Sequence, residues 1–318
     1  KMLWPNTKTC LLWTVTGFKG SAMLWNVTTA EYMNRGHMAC PGCGASLSMR
    51  HALKALGEST IVVIPACCWS IIAGIFPTTA LSVPLLHVPF ATAAACASGV
   101  RRAQIAKKRT ESTVMVWAGD GGTFDIGLQA LSGAADRQED ILYVCYDNEA
   151  YMNTGIQQSS ATPCGAWTST SPGGKEFEYQ KKDIISIVLA HAPAYVATAC
   201  VAYPEDFYAK MAKAKQARGF RFVHLLSVCP PGWKIDSQDA LKVSRLAVES
   251  DVFPLLELDE EGSLCRTYEP DGTVQLSDYI QAQKRFRSLT REDIQRFADQ
   301  IKVRNNRWLL KLCDTGIG

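Results

Sequence analysis

A glycine turn that contains an aspartate is the clearest chemical feature of the sequence. Gly119-Asp120-Gly121-Gly122 follows an apolar run and precedes a helical pattern. In that setting the backbone N–H groups and the helix N-terminus face an anion, as phosphate sites require. Asp120 adds a hard oxygen ligand suited to Mg²⁺. Alone the signal is weak, because Gly-Asp-Gly is also common in ordinary surface turns.

The elements around this turn predict where its partner lies. Residues 113–118 form a predicted strand, 124–137 a helix and 141–146 a second strand, which together make a parallel βαβ unit. Asn148 follows the second strand, 28 residues after Asp120 (148 − 120). Because parallel strands end at one edge of the sheet, where ligands bind, we expect the two side chains to share a magnesium ion.

The glycine turn and the segment around Asn148, taken together, resemble the motif of a known family. The runs Gly119–Gln129 and Tyr146–Gly155 resemble the thiamine diphosphate motif of the β subunit of 2-oxoacid:ferredoxin oxidoreductases, of the pyruvate type. The resemblance covers about residues 34–312 and includes Arg35–Ala45, Thr162–Gly165 and Phe286–Leu289. It implies the α/β thiamine-diphosphate-binding fold, with a mostly parallel sheet and helices on both of its faces.

The resemblance also implies roles for individual residues. The Ala150 carbonyl would meet the magnesium, and Asn153 would point toward the reacting carbon as the catalytic residue of this chain; as a plain alternative, Asn153 caps the loop. The partner subunit would supply the glutamate that activates thiamine, so Glu149 receives no role. The expected cofactor-binding residues are Gly119, Asp120, Gly121, Gly122, Asn148, Ala150, Asn153 and Thr154.

The twelve cysteines offer a second line of argument. Cys40-Pro-Gly-Cys43 has the spacing of half a zinc ribbon, a redox pair or part of an iron–sulfur site, and no second such pair exists. Cys68 lies 25 residues after Cys43 (68 − 43), and Cys229 ends a later strand. The resemblance implies that Cys40, Cys43, Cys68 and Cys229 hold a [4Fe–4S] cluster. Cys67 is the alternative to Cys68.

Composition limits the remaining function classes. Of 318 residues, 47% are hydrophobic and 20% charged, which is typical of a globular protein. A net charge of +3 and no basic run longer than Lys107–Arg109 argue against a nucleic-acid surface. Residues 59–100 carry no charge, but four prolines interrupt them, so we expect a buried or partner-covered region instead of a membrane span. The cysteine usage favours a reduced, cytoplasmic location.

The domain prediction is an N-terminal arm over 1–35, a thiamine diphosphate domain with cluster ligands over 36–250, and a C-terminal extension over 251–318. A long loop over 153–182 is expected to be functional. From 230 onward we expect irregular chain up to one helix near 291–312. The other predicted helices are 46–56, 91–108, 184–191 and 205–218, and the other predicted strands 60–65, 195–201 and 221–228.

The function that the resemblance implies is oxidative decarboxylation of a 2-oxoacid, with pyruvate as the expected substrate. Ferredoxin would accept the electrons and coenzyme A the acyl group, and α-, γ- or δ-type partner subunits would complete the enzyme. Oxalate, 2-oxoisovalerate and 2-oxoglutarate are alternative substrates within the superfamily. Alternatives of another kind are a non-catalytic iron–sulfur or zinc protein, and a non-oxidative thiamine decarboxylase.

Overall fold

A computed structural model describes residues 27–173, 180–259 and 262–310. Most of the predicted N-terminal arm therefore lies outside the described residues. The helices are α1 (Gly44–Leu56), α2 (Cys68–Ala73), α3 (Ala93–Ala106), α4 (Leu128–Asp136), α5 (Ile184–Leu189), α6 (Pro204–Gln216), α7 (Pro230–Trp233), α8 (Ala240–Glu249), α9 (Leu276–Gln281) and α10 (Arg291–Leu310). The strands are β1 (Thr60–Pro65), β2 (Leu85–Val88), β3 (Thr113–Gly119), β4 (Leu142–Asp147), β5 (Tyr195–Cys200), β6 (Arg221–Leu226), β7 (Leu256–Leu258) and β8 (Leu264–Arg266).

The strands form one sheet in the order β2-β1-β3-β4-β6-β5-β7-β8. The first six strands in this order pair in parallel, and β7 and β8 pair antiparallel at one end. The predicted class, an α/β fold with a mostly parallel sheet, is confirmed. Strand β2 is absent from the sequence prediction because its four residues are half-buried or exposed and lack the long apolar run of its neighbours.

Helices cover both faces of the sheet, as alternating side chains of a strand point to opposite sides. On one face, Val62 of β1 and Met115 of β3 belong to a core that also contains residues of α1, α2 and α6. On the other face, Val63 and Val114 pack with residues of α3, α4 and α5. Strands buried on both faces account for the continuous apolar runs in the sequence.

The segment after residue 230 is more regular than the sequence prediction allowed. It contains α8, α9 and the strand pair β7–β8 before α10 begins, so the expectation of irregular chain is wrong. A third core contains Leu226 and Val228 together with apolar residues of α8, α9 and α10. These elements bury their apolar faces against the end of β6, and this packing explains why the segment is regularly folded.

The uncharged stretch 59–100 is only partly buried. Strand β1 lies inside the sheet, but four large apolar side chains on the segment from α2 through β2 are exposed: Ile71, Ile75, Phe76 and Leu86. Phe76 is 90% exposed. Among the described residues, no helix has the length and apolar character needed to cross a membrane.

Candidate active site

Four adjacent strands end at one edge of the sheet, and each is followed by a predicted site residue. Cys68 follows β1, Asp120 follows β3, Asn148 follows β4 and Cys229 follows β6. This edge is the carboxyl edge of a parallel sheet, where α/β proteins bind ligands. The order of the strands therefore brings the expected magnesium ligands between two of the expected cluster cysteines.

Three oxygen-bearing groups converge at the centre of this edge. One terminal atom of the Asn148 carboxamide lies 3.0 Å from Oδ1 of Asp120 and 2.9 Å from the Ala150 carbonyl oxygen. With the amide nitrogen at that position, Asn148 donates two hydrogen bonds. With the amide oxygen there, three oxygens face one point, as a hard divalent cation requires. Asp120 and Asn148 are 1% and 6% exposed, so the donor set fits a magnesium ion.

The other carboxylate oxygen of Asp120 is held by the protein. Ser159 Oγ donates a 2.5 Å hydrogen bond to Oδ2, which orients the carboxylate so that Oδ1 faces Asn148. Burial, and after it the charge of Asp147, raise the pKa of Asp120 well above its usual value. A buried carboxylate of this kind is stabilised by a bound cation.

The two acidic neighbours of Asn148 are balanced by basic groups. Lys181 Nζ lies 2.7 Å from Asp147 and 2.8 Å from Glu149, and Arg285 lies 2.7 Å from Glu149. Asp120 instead accepts a hydrogen bond from a neutral serine. When Asp120 is ionised, three acids face two bases, and a divalent cation would offset the excess negative charge.

Asp147 also contacts His224, whose Nε2 lies 2.8 Å from Oδ2. Burial alone would raise the pKa of Asp147, but Lys181 and His224 outweigh burial and lower it to about 2. Burial lowers the pKa of His224. At neutral pH Asp147 is charged and His224 is neutral.

The glycine turn is closely covered. A Cβ on Gly121 would lie 2.1 Å from the ring of Tyr151, and one on Gly122 would lie 3.2 Å from the ring of Phe90. Tyr151 is fixed by the 2.7 Å hydrogen bond that its hydroxyl donates to Asp125. After Asp120 the chain enters a wide π-helical turn over Gly121–Asp125 before α4 begins. Only glycine fits at position 121.

Asn153 and Thr154 lie on an exposed turn beside this region. The Thr154 hydroxyl donates to Oε1 of Gln157 at 2.5 Å, so it is used within the turn. The structure does not bring these two side chains into the buried group around Asp120. Their assignments as catalytic and cofactor-binding residues stay predictions.

Three of the four candidate cluster cysteines stand where helices begin. Cys43 precedes α1, Cys68 opens α2 and Cys229 precedes α7. The N–H of Gly44 donates to the Val228 carbonyl at 3.1 Å, which joins the Cys40–Cys43 loop to the segment containing Cys229. Helix N-termini favour negative charge, so these positions suit thiolates.

The four sulfurs are neighbours, although they are not gathered around a common centre. Burial and then the charges of Cys43 and Cys40 raise the pKa of Cys229 to about 12, and burial and then Cys229 raise the pKa of Cys68. Within residues 27–173, 180–259 and 262–310, no group of three or more His, Cys, Asp or Glu side chains has an arrangement that could hold a metal ion. Metal coordination would require these thiols to lose their protons and to close in.

Cys67 and Cys68 have different surroundings. Cys67 caps α2 through its side chain and forms a hydrogen bond with Tyr146. Burial, and after it the charges of Cys229, Cys67 and Cys43, raise the pKa of Cys68. Cys67 is engaged in local structure, whereas Cys68 faces the other candidate ligands.

Comparisons with known proteins agree with this geometry. Residues 68–225 match the family described as thiamine pyrophosphate enzyme, C-terminal TPP binding domain. The chain is 48% identical over 277 residues to pyruvate synthase subunit PorB of Methanothermobacter thermautotrophicus, covering 85% of this chain and 96% of that protein. It is 48% identical over 269 residues to ketoisovalerate oxidoreductase subunit VorB of Pyrococcus horikoshii, covering 82% and 86%.

A solved structure, 2-oxoglutarate:ferredoxin oxidoreductase from Magnetococcus marinus, shares the fold with a TM-score of 0.55 at 23% identity, covering 70% of this chain and 82% of that one. The fold and the family match define a thiamine-diphosphate-binding domain. More narrowly, the chain belongs to the β subunits of 2-oxoacid:ferredoxin oxidoreductases.

Several residues of this site are not predicted from the sequence. Ser159 and Lys181 reach the Asp120–Glu149 region from a loop, and Arg285 reaches it from a short 3-10 helix; the contacts span 32 to 136 residues along the chain. Sequence periodicity carries no signal for such contacts. For Ser159 and Lys181, the length and composition of the loop over 153–182 indicate a functional segment but not these contacts.

Proposed function

We propose that this chain binds thiamine diphosphate through a magnesium ion and carries a [4Fe–4S] cluster, as the β subunit of an enzyme that oxidises pyruvate. Asp120, Asn148 and the Ala150 carbonyl would hold the magnesium. Ferredoxin would receive the electrons and coenzyme A the acyl group.

The convergence of three oxygen-bearing groups in a buried environment carries the magnesium part of this proposal. The relevant separations are 3.0 Å and 2.9 Å. Magnesium keeps an octahedral shell and uses few protein ligands, leaving positions for phosphate oxygens and water. Three protein oxygens next to the Gly121–Gly122 turn match that requirement.

The cluster part rests on the type and neighbourhood of the cysteines. Burial, and after it the charges of neighbouring cysteines, raise the pKa of Cys43, Cys68 and Cys229, and these three residues stand at helix N-termini. Four thiolates are the usual ligand set of a [4Fe–4S] cluster. Cys68 and Asp120 follow the neighbouring strands β1 and β3, so a cluster there would be close to the thiamine site.

When bound, thiamine diphosphate supplies the electron sink for decarboxylation, and the cluster supplies one-electron acceptance. This chain's own residues bind and orient. Asp120, held by Ser159, and Asn148 fix the metal, while the covered glycine turn excludes water from the diphosphate side. Asn153 lies on an exposed turn outside the buried residues around Asp120, and it would contact the substrate from the solvent-exposed side of the site.

Partner subunits of the α, γ or δ type would cover the open side. The exposed apolar side chains Ile71, Ile75, Phe76 and Leu86 lie on the segment from α2 through β2, which starts at Cys68. Several large apolar side chains exposed on one short segment are a feature that protein interfaces share.

The substrate is proposed as pyruvate, with 2-oxoisovalerate as the second candidate. Relatives named for pyruvate and for ketoisovalerate are equally similar, at 48% identity each. A substrate panel of pyruvate, 2-oxoisovalerate, 2-oxoglutarate and oxalate, with ferredoxin or a viologen as acceptor, separates them. Higher kcat/KM for any acid other than pyruvate would contradict the substrate assignment.

The cofactor assignments are tested by two opposed variants in the anaerobically purified complex. Asp120→Ala should lose thiamine diphosphate and keep its iron, and Cys229→Ala should lose iron and keep thiamine diphosphate. Cys200→Ala, a buried cysteine of β5, is the matched control and should keep both. If Asp120→Ala and Cys229→Ala both reduce ferredoxin at the rate of the unmodified complex, the site assignment is wrong.

A further inference from the structure

Two carboxylates flank Asn148, and both belong to a buried network of charges. Lys181 Nζ bridges Asp147 Oδ2 at 2.7 Å and Glu149 Oε1 at 2.8 Å. Arg285 pairs with the other oxygen of Glu149 at 2.7 Å. Both side chains of this last pair are 3% exposed. Each oxygen of the Glu149 carboxylate is thus bound to its own cation.

The backbone at Glu149 is unusual for a residue with a side chain. Its φ is +68°, in the left-handed region that favours glycine. Its N–H donates to Asp147 Oδ1 at 2.9 Å, and its carbonyl accepts from Thr162 Oγ1 at 2.7 Å. The preceding Asn148 carbonyl accepts from Trp233 Nε1 at 2.9 Å. The surroundings therefore hold a conformation that the residue itself disfavours.

We propose that Lys181 and Arg285 are positioning residues for the metal site. By binding both oxygens of Glu149, they keep its backbone left-handed, and that conformation lets the Asn148 side chain and the Ala150 carbonyl face the same point. The inference rests on the proposed magnesium and thiamine diphosphate function and adds how the ligand segment is held.

Arg285 brings the C-terminal segment into this site. Its guanidinium lies 3.6 Å from the centroid of the Trp233 ring, and its Nε donates to Gln283 at 2.8 Å. Trp233 ends the short helix that follows Cys229, whose carbonyl accepts from the Trp233 N–H at 2.8 Å. One aromatic ring thus contacts the arginine, the ligand segment and the helix that starts at a candidate cluster cysteine.

A purely structural network is the alternative. Removing one partner of a buried ion pair destabilises a protein wherever the pair lies. Loss of stability in an Arg285 variant therefore does not discriminate. The discriminating quantity is the affinity of the chain for thiamine diphosphate at a fixed magnesium concentration, compared with a matched variant elsewhere.

Arg221 provides that matched variant. It is 2% exposed and pairs with Asp140 at 2.7 Å, but it stands at the start of β6, the end of the strand opposite the site. The assembled complex is stripped of cofactor, and thiamine diphosphate binding is titrated by calorimetry at fixed Mg²⁺. Arg285→Gln should raise the Kd for thiamine diphosphate at least about tenfold, because it removes the charged hydrogen bond that holds the Glu149 carboxylate in place. Arg221→Gln should change the Kd by less than about twofold because its pair is remote from the site.

A second pair of variants covers the case in which Arg285→Gln fails to assemble. Glu149→Gly and Glu149→Ala both remove the carboxylate and leave the same two cations, but only glycine adopts a φ of +68° without strain. Glu149→Ala should bind thiamine diphosphate about tenfold more weakly than Glu149→Gly, since the left-handed backbone is costly for alanine. Iron content, measured in parallel, should be the same in both.

The outcomes separate the two levels of the proposal. If the unmodified complex does not bind thiamine diphosphate in the presence of Mg²⁺, the proposed function fails. If it binds, and Arg285→Gln matches Arg221→Gln, or the alanine and glycine variants at 149 bind equally, the positioning role is overturned while the proposed function stands.

Discussion

Ser159→Ala is the most direct test of how the Asp120 carboxylate is oriented. Ser159 is buried, and its Oγ accepts from the N–H of Ala161 at 3.2 Å. The hydroxyl hydrogen is therefore directed to Oδ2 of Asp120, 2.5 Å away. Alanine removes this one donor and leaves the backbone contacts of the loop in place.

The size of the effect follows from the charge of the acceptor. A hydrogen bond to a charged group contributes about 1.5–3 kcal/mol, and each ~1.4 kcal/mol is tenfold in affinity. The Kd for thiamine diphosphate at fixed Mg²⁺ should rise by about 10- to 100-fold. Ser159 also lowers the pKa of Asp120, against burial and Asp147, which raise it. Its loss raises that pKa further, so the pH at which binding becomes half-maximal should move upward.

The assay is the calorimetric titration across a pH series, with Ser244→Ala as the control. Ser244 is buried in α8, a helix that supplies none of the proposed magnesium ligands, and its Oγ donates to the Ala240 carbonyl at 2.8 Å. The control should leave both Kd and pH profile unchanged. A Ser159→Ala complex with the same Kd and pH profile as the control would refute the view that this hydroxyl orients the metal-binding carboxylate.

Three further outcomes are expected. Gly121→Ala should abolish thiamine diphosphate binding and lower the free energy of unfolding by about 1–3 kcal/mol, because its Cβ overlaps the Tyr151 ring; unchanged binding and thermal denaturation would contradict this. Cys68→Ser should lose iron by elemental analysis whereas Cys67→Ser keeps it, and the reverse pattern would exchange the two assignments. Burial lowers the pKa of His224, so the unfolded state takes up this proton at a higher pH than the folded state, and the free energy of unfolding should fall as the pH drops below the ordinary value of 6.5; a His224→Asn variant that loses as much stability over the same pH range in denaturant titrations would show that His224 is not the cause.

The central part of the fold is predictable because its signals are local. Strands buried on both faces, such as Thr113–Gly119, read as unbroken apolar runs, and the glycine turn marks the connection to a helix. Parallel pairing then brings Asp120 and Asn148 to the same edge without any knowledge of side-chain contacts. The structure places the Asn148 carboxamide 3.0 Å from Oδ1 of Asp120.

The parts that were missed depend on distant contacts or weak patterns. Helix α8 has apolar positions at Ala240, Val243, Ala247 and Val248, a helical spacing that was available in the sequence but is short and flanked by irregular chain. Arg285 gave no comparable signal, because its pairing with Glu149 spans 136 residues. A buried arginine is recognisable only once its partner is known.

The order of the strands has a consequence for the two proposed cofactor sites. Cys68 and Asp120 follow neighbouring strands, as do Asn148 and Cys229, and adjacent strands lie about 4.8 Å apart. The distance between the proposed magnesium and cluster sites is therefore set mainly by the hydrogen-bonded spacing of the sheet, and only secondarily by loops. Since a rigid sheet fixes the separation, changes that loosen the Glu149 network should weaken cofactor binding without altering how near the bound cofactor lies to the cysteines.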